Sequence, residues 1–191
     1  MKVLARIGII VLVTVPGITW AAQSAQPEYA KIEQQLQRQA RELRNVAKSM
    51  QAHARKPLPA GFDSAQKASI AAKRRDLEAA AADALKLAKQ VEDRANKARR
   101  KVLSRADMAS LGAATNTIES RIKAERSGTL TPMPKHAIPP KSPDDEVRNK
   151  RQEYATMFEN FDQKANRWFN LLTDVMKKAK ETQSAISRNL N

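Results

Sequence analysis

The segment from Asp144 to Leu190 constrains the fold most, because apolar or small residues recur along it at alternating spacings of three and four. Only Arg151 interrupts this pattern. Such spacing, sustained for several heptads, predicts one long amphipathic helix that must bury a stripe against other helices. The stripe positions are Val147, Tyr154, Phe158, Phe161, Ala165, Trp168, Leu172, Val175, Ala179, Thr182 and Ile186.

The rest of the chain also has helical periodicity, and no segment alternates in the way a strand does. We predict helices over about 28–56, 63–127 and 144–190, with a proline-rich connector at 128–143. The second helix has a weak point near 104–112, where Ser104 and Asp107 have the spacing of a capping box, so it is either continuous or two helices. The predicted fold is all-α: an elongated antiparallel helical bundle or coiled coil of three or four long helices.

The seams of the earlier helices are rich in alanine, which permits close helix approach but buries little apolar area. The first helix has its stripe at Tyr29, Ile32, Leu36, Gln39, Leu43, Val46, Met50 and His53. The second continues from Ile70 through Arg74, Leu77, Ala81, Ala84, Ala88, Val91, Ala95 and Ala98 to Val102. Its later part has an apolar face of Met108, Leu111, Ile118 and Ile122.

Residues 1–25 have the pattern of a bacterial export signal that is cleaved. Lys2 and Arg6 precede an apolar run, and small residues follow at the positions of a cleavage site. A single helical domain, 26–191, would then reach the periplasm or the medium. The alternative is that residues 7–22 are retained as an inner-membrane anchor, although the run is short and broken by Pro16-Gly17.

The chain has a formal net charge of +15, concentrated in its first half. We interpret two basic clusters as a candidate polyanion-binding track, and the competing interpretation is a solvated helix face. The track would bind lipopolysaccharide or lipid headgroups; export makes nucleic acid an improbable partner, and no aromatic residue lies between the cations for base stacking. The clusters consist of Lys73, Arg74 and Arg75, then Lys97, Arg99, Arg100 and Lys101.

The aromatic half of the last helix is wider than one seam. It is either the core of the chain's own bundle or, in part, a face that binds a partner helix. The candidate partner-helix face consists of Tyr154, Met157, Phe158, Phe161, Trp168 and Phe169.

The sequence favours a non-enzymatic protein without a cofactor. It has no cysteine, no phosphate-binding loop and no nucleophile motif. Its two histidines, His53 and His136, stand apart from any cluster of metal ligands. Catalytic, cofactor-binding and metal-binding residues are therefore not predicted.

Three functions remain open. The first is an exported envelope adaptor, scaffold or assembly component that acts through coiled-coil contacts with protein partners or with its own copies. The second is a periplasmic holdase: in export signal, size and basic helical character the chain resembles the Skp/OmpH type of chaperone, which implies binding of unfolded envelope proteins. The third is a membrane-tethered coiled-coil component of a secretion or phage-lysis apparatus.

Overall fold

The computed structural model describes residues 28–57, 62, 64–124 and 145–190. These residues form four helices: α1 (Tyr29–Ala54), α2 (Ser64–Arg99), α3 (Arg105–Ala124) and α4 (Asp145–Asn189). None of the described residues lies in a strand. The all-α prediction is confirmed, and of the three or four helices predicted the described residues form four. The predicted export signal, the connector at 128–143 and the start of the second helix at Asp63 lie outside the described residues.

The chain turns between α2 and α3 just before the weak point that the sequence indicated. α2 ends in a Schellman motif, in which the Lys101 N–H donates to the Ala98 carbonyl and the Val102 N–H to the Lys97 carbonyl. Lys101 has φ 57°, a left-handed conformation that turns the backbone away from the helix axis. Residues 100–104 therefore form the break, whereas Gly112 lies inside α3.

The predicted capping box begins α3. Ser104 Oγ accepts from the Asp107 N–H at 3.2 Å, and Asp107 Oδ2 accepts from the Ser104 N–H at 3.1 Å. These two bonds satisfy backbone donors that the first turn of a helix leaves without partners. The sequence prediction of this cap is confirmed.

Consecutive helices run antiparallel. Arg99 of α2 binds Glu33 of α1 at 2.7 Å, and further along the pair Arg44 binds Glu92. In the same way Thr115 of α3 lies beside Gln183 of α4, and Lys180 binds Glu119 at 3.5 Å. Helix α3 contacts the middle and C-terminal part of α2 and the C-terminal part of α4. Nearer its N-terminus, α4 contacts the end of α1 through Phe161 and the start of α2 through Asp162. This arrangement is a helical bundle.

The core is one continuous cluster that runs through the helices. The stripe of α1 is buried as the sequence predicts, apart from Tyr29, which is half-buried. In α2 the seam is also buried, with two corrections: Arg74 is half-buried, and Val102 is 61% exposed because α2 has ended before it.

Helix α4 changes phase along its length. Phe169 is buried and Trp168 is half-buried, although the sequence stripe placed Trp168 at the centre. Gln183 is likewise buried in place of Thr182. Leu172, Val175, Ala179 and Ile186 of the predicted stripe stay buried, so after Ala165 the buried side rotates only part of the way towards the next residue. Such a rotation is expected because a straight helix drifts relative to a strict heptad.

Candidate functional site

The first basic cluster is largely used for internal contacts. Lys73 of α2 forms a salt bridge with Asp162 of α4, and these side chains are only 14% and 19% exposed. Arg74 donates to the backbone carbonyl of Lys56. Arg75 is exposed. Two of the three cations therefore hold the start of α2 against its neighbours.

The second cluster is divided in the same way. Lys97 binds Asp107, the cap residue of α3, and Arg99 binds Glu33 of α1. The hydrogen bond from Lys97, together with the bonds from Ser104, lowers the pKa of Asp107 to about 2. Arg100 and Lys101 are exposed at the end of α2.

The structure thus does not bring the seven predicted cations together as one free track. Arg75 and Arg100 are separated by about 37 Å along α2, at 1.5 Å per residue. The exposed cations of the two clusters therefore form two separate basic patches on the surface.

The aromatic face of α4 is mainly part of the chain's own core. Phe158, Phe161 and Phe169 are buried, while Tyr154, Met157 and Trp168 are half-buried against the core. Phe62, from the segment between α1 and α2, contacts the first part of this face with its ring 5.6 Å from that of Tyr154 and 6.4 Å from that of Phe158. Within the described residues, an external partner can reach only the half-buried members without opening the bundle.

His53 joins α1 to α4. Its ring stacks on Phe161, and its Nε2 lies 3.1 Å from the Phe161 carbonyl oxygen. A carbonyl only accepts, so Nε2 carries the proton. Burial lowers the pKa of His53, and the positive charges of Lys56, Lys164 and Arg74 lower it further, against the opposing effect of the carbonyl. The histidine is therefore neutral near pH 7.

A groove of about 780 Å³ lies between the C-terminal part of α1 and the middle of α4. Its apolar lining includes Ala52, Trp168 and Leu171, and Leu171 is 40% exposed. Three cations lie around this apolar surface: Lys56, Lys164 and Arg167. We call these six residues, together with His53, the α1–α4 groove.

Sequence reasoning identified only Trp168 and His53 of this groove, and neither was assigned to it. Leu171 carried a usable signal, because it is a large apolar residue beside the stripe position Leu172 and off the stripe's spacing of three and four. An apolar residue beside a stripe indicates a second contact surface. The cations from α1 and α4 gave no such signal, since their proximity depends on how the two helices pack.

Two other kinds of feature are absent from the residues that the structure describes. No group of three or more histidine, cysteine, aspartate or glutamate side chains in the described ranges is arranged to hold a metal ion. None of the four described helices is long and apolar enough to cross a membrane. No known protein family, curated protein or solved structure matches the chain.

Proposed function

We propose that the chain is an exported, non-enzymatic helical protein of the cell envelope that serves as an adaptor, scaffold or assembly component through coiled-coil contacts. The α1–α4 groove is the observation that carries this proposal. It places exposed apolar side chains along the boundary of two antiparallel helices, which is the kind of surface a third helix fills.

The use of charged residues in the bundle also supports a structural role. Asp107 and Glu119 both have a lowered pKa, and in each case the largest cause is a hydrogen bond from a lysine, Lys97 and Lys123 respectively. These two carboxylates are therefore kept ionised as structural partners, whereas a general acid at neutral pH needs a raised pKa. Burial does raise the pKa of Asp76, but the positive charges of Lys73 and Arg75 oppose this rise.

Cell fractionation with intact mass measurement tests the location. We expect a mass that corresponds to cleavage between Ala21 and about Ala25, in the soluble periplasmic fraction. A full-length mass in the membrane fraction would favour the tethered coiled coil, with residues 7–22 as an anchor. Full-length protein in the cytoplasm would overturn export.

The adaptor role is tested by the native size of the protein in gently solubilised envelopes. We expect a chromosomally tagged chain to migrate in a complex larger than the monomer and to keep its partner after purification. A chain that is monomeric in envelopes from every growth phase would contradict the adaptor role.

A holdase is the second candidate, and the exposed cations beside the apolar lining of the α1–α4 groove favour it. Such a surface suits an unfolded acidic client. Suppression of aggregation of a denatured outer-membrane protein at near-stoichiometric ratio would support this function. If aggregation is not suppressed even at roughly tenfold excess of the chain, the holdase function is ruled out.

A further inference from the structure

The α1–α4 groove has the dimensions and periodicity of a helix-binding surface. Its lining residues on α4 are Lys164, Arg167, Trp168, Asn170, Leu171 and Asp174. Apart from Asn170 they follow one another at steps of one or three, which is the spacing of one side of a helix. Those on α1 are Ser49, Ala52 and His53, and Lys56 follows just after the end of this helix. The surface covers about 15 Å of α4, or roughly three turns.

The charge around the groove is strongly one-sided. Lys56, Lys164 and Arg167 are exposed, and none of them makes a side-chain ion pair within the part of the chain that the structure describes. Asp174 is the single carboxylate among the lining residues. Elsewhere in the bundle, by contrast, Lys73, Lys97 and Arg99 are neutralised by acids of neighbouring helices.

We propose that the α1–α4 groove binds an acidic amphipathic helix of a partner protein. Apolar residues of the partner at spacings of three and four contact Trp168 and Leu171, and its flanking Glu or Asp side chains pair with Lys56, Lys164 and Arg167. This inference rests on the proposed adaptor function and specifies the chemistry of the partner.

Other occupants fit the same observations less well. A second copy of the chain would bring two sets of three cations together about a twofold axis, and like charges in a contact are strongly unfavourable. The chain's own segment 128–143 contains two lysines and no acid, so it offers no complement to the rim. A small ligand is bound by a concave site that buries most of its surface, whereas this groove is open along two helices.

Trp168 provides a direct measurement of binding. The chain has two tryptophans, and Trp20 lies in the segment that we expect to be cleaved, so Trp168 is the single tryptophan of the mature protein. If the protein is recovered uncleaved, the Trp20→Phe variant is used instead. The probe is a synthetic amphipathic peptide of about 18 residues, or five helical turns, with leucines on one side and glutamates flanking them. Its twin has lysines in place of the glutamates. We expect the glutamate peptide to shift the Trp168 emission to the blue, saturably, and the lysine peptide to bind at least about tenfold more weakly.

Charge reversal locates the contact. The double variant Lys164→Glu, Arg167→Glu should bind the glutamate peptide at least about tenfold more weakly and the lysine peptide more strongly than the wild type does. Lys177→Glu with Lys178→Glu is the matched control, because these exposed lysines lie on the same helix and outside the groove lining. All four substitutions are at exposed positions, so circular dichroism should report an unchanged helix content.

Three results would overturn the inference. The first is equal binding of the two peptides, and the second is loss of glutamate-peptide binding in the Lys177→Glu, Lys178→Glu control. The third is a shift of the Trp168 emission with phosphatidylglycerol vesicles but with neither peptide, which would mean that the groove binds lipid. The envelope complex separates this failure from failure of the adaptor role. If the native complex persists in the Lys164→Glu, Arg167→Glu variant, the groove is not its contact and the adaptor role stands.

Discussion

The ring of His53 lies over that of Phe161, with 4.6 Å between the ring centroids and 22° between the planes. The same two residues share a hydrogen bond from Nε2 to the backbone carbonyl. One side chain near the end of α1 thus contacts both the side chain and the backbone of a residue in α4. This contact lies beneath the α1–α4 groove, so the protonation of His53 affects the surface that we propose for a partner.

Stability should fall as the pH decreases below about 6.5, the ordinary pKa of histidine. The pKa of His53 is lowered in the folded chain, mainly by burial, so in this window the unfolded state binds the proton more readily. We expect urea unfolding to give a smaller free energy at about pH 5.5 than at about pH 7.5, and the difference to shrink in His53→Phe. A variant at His136 serves as the control, and it should retain the pH dependence of the wild type.

Asp107→Asn should lower the free energy of unfolding by about 1–2 kcal/mol at neutral pH. The substitution weakens the bond to Lys97 and removes the negative charge at the start of α3. The folded pKa of Asp107 is about 2, below that of the unfolded chain. Its contribution is therefore complete above about pH 4 and is lost as the pH falls towards 2. Denaturant titrations of the two proteins should accordingly converge in acid. The exposed Glu181→Gln, as control, should leave stability unchanged; a difference that does not shrink at low pH would contradict the assignment.

Gln39→Leu should stabilise the bundle by about 1–2 kcal/mol. Gln39 is buried, and neither its Oε1 nor its Nε2 has a hydrogen-bond partner in the described structure. Leucine has a similar volume and no polar group to satisfy. Gln183→Leu is the comparison, since Gln183 is also buried but bonds to Thr115 at 3.2 Å. Thermal or urea unfolding should show a higher stability for Gln39→Leu only. An equal increase in both variants would mean that the hydrogen bond of Gln183 does not contribute to stability.

Lys73→Ala should destabilise the protein by about 1–3 kcal/mol, because it leaves the mostly buried Asp162 carboxylate without its salt bridge. Arg75→Ala, at the exposed neighbour, should change stability by no more than about 0.5 kcal/mol. Urea unfolding distinguishes the two. Equal small effects would show that Lys73 is a solvated cation like Arg75 and available to a polyanion.

Lys101→Gly should stabilise the protein by about 1 kcal/mol, since glycine adopts the left-handed conformation of this residue without steric cost. Arg100→Gly removes the same charge at a position where φ is not positive, so it should bring no gain. Unfolding measurements on the two variants separate backbone conformation from charge.

Local patterns predicted much of the fold. The stripe of α1 from Ile32 to His53 was read correctly, and so was the cap formed by Ser104 and Asp107, because each depends on residues within one or two turns. The α4 stripe was less accurate at Trp168 and Phe169: both are aromatic, and only the drift of a real helix against its neighbours decides which one is buried. Val102 was wrongly placed in the seam because α2 ends without a proline, so the sequence has no clear signal for the end of this helix.

The candidate site was much less predictable. A run of cations such as Lys73-Arg74-Arg75 looks uniform in sequence, yet Lys73 is paired with Asp162, 89 residues away along the chain. The α1–α4 groove joins Lys56 to Lys164 across a similar separation. Which cations stay available depends on long-range packing, and spacing along one segment carries no information about that.

The alanines that line α2 have a mechanical consequence. Ala80, Ala81, Ala84 and Ala88 are almost completely buried, so the backbones of α1 and α2 can approach closely with few side-chain rotamers between them. A hairpin built this way has little freedom to slide or repack. Helix α4 meets it through long, adaptable side chains such as Met176. The hairpin then sets fixed positions for Ser49, Ala52 and Lys56, and any adjustment to a bound helix falls to α4.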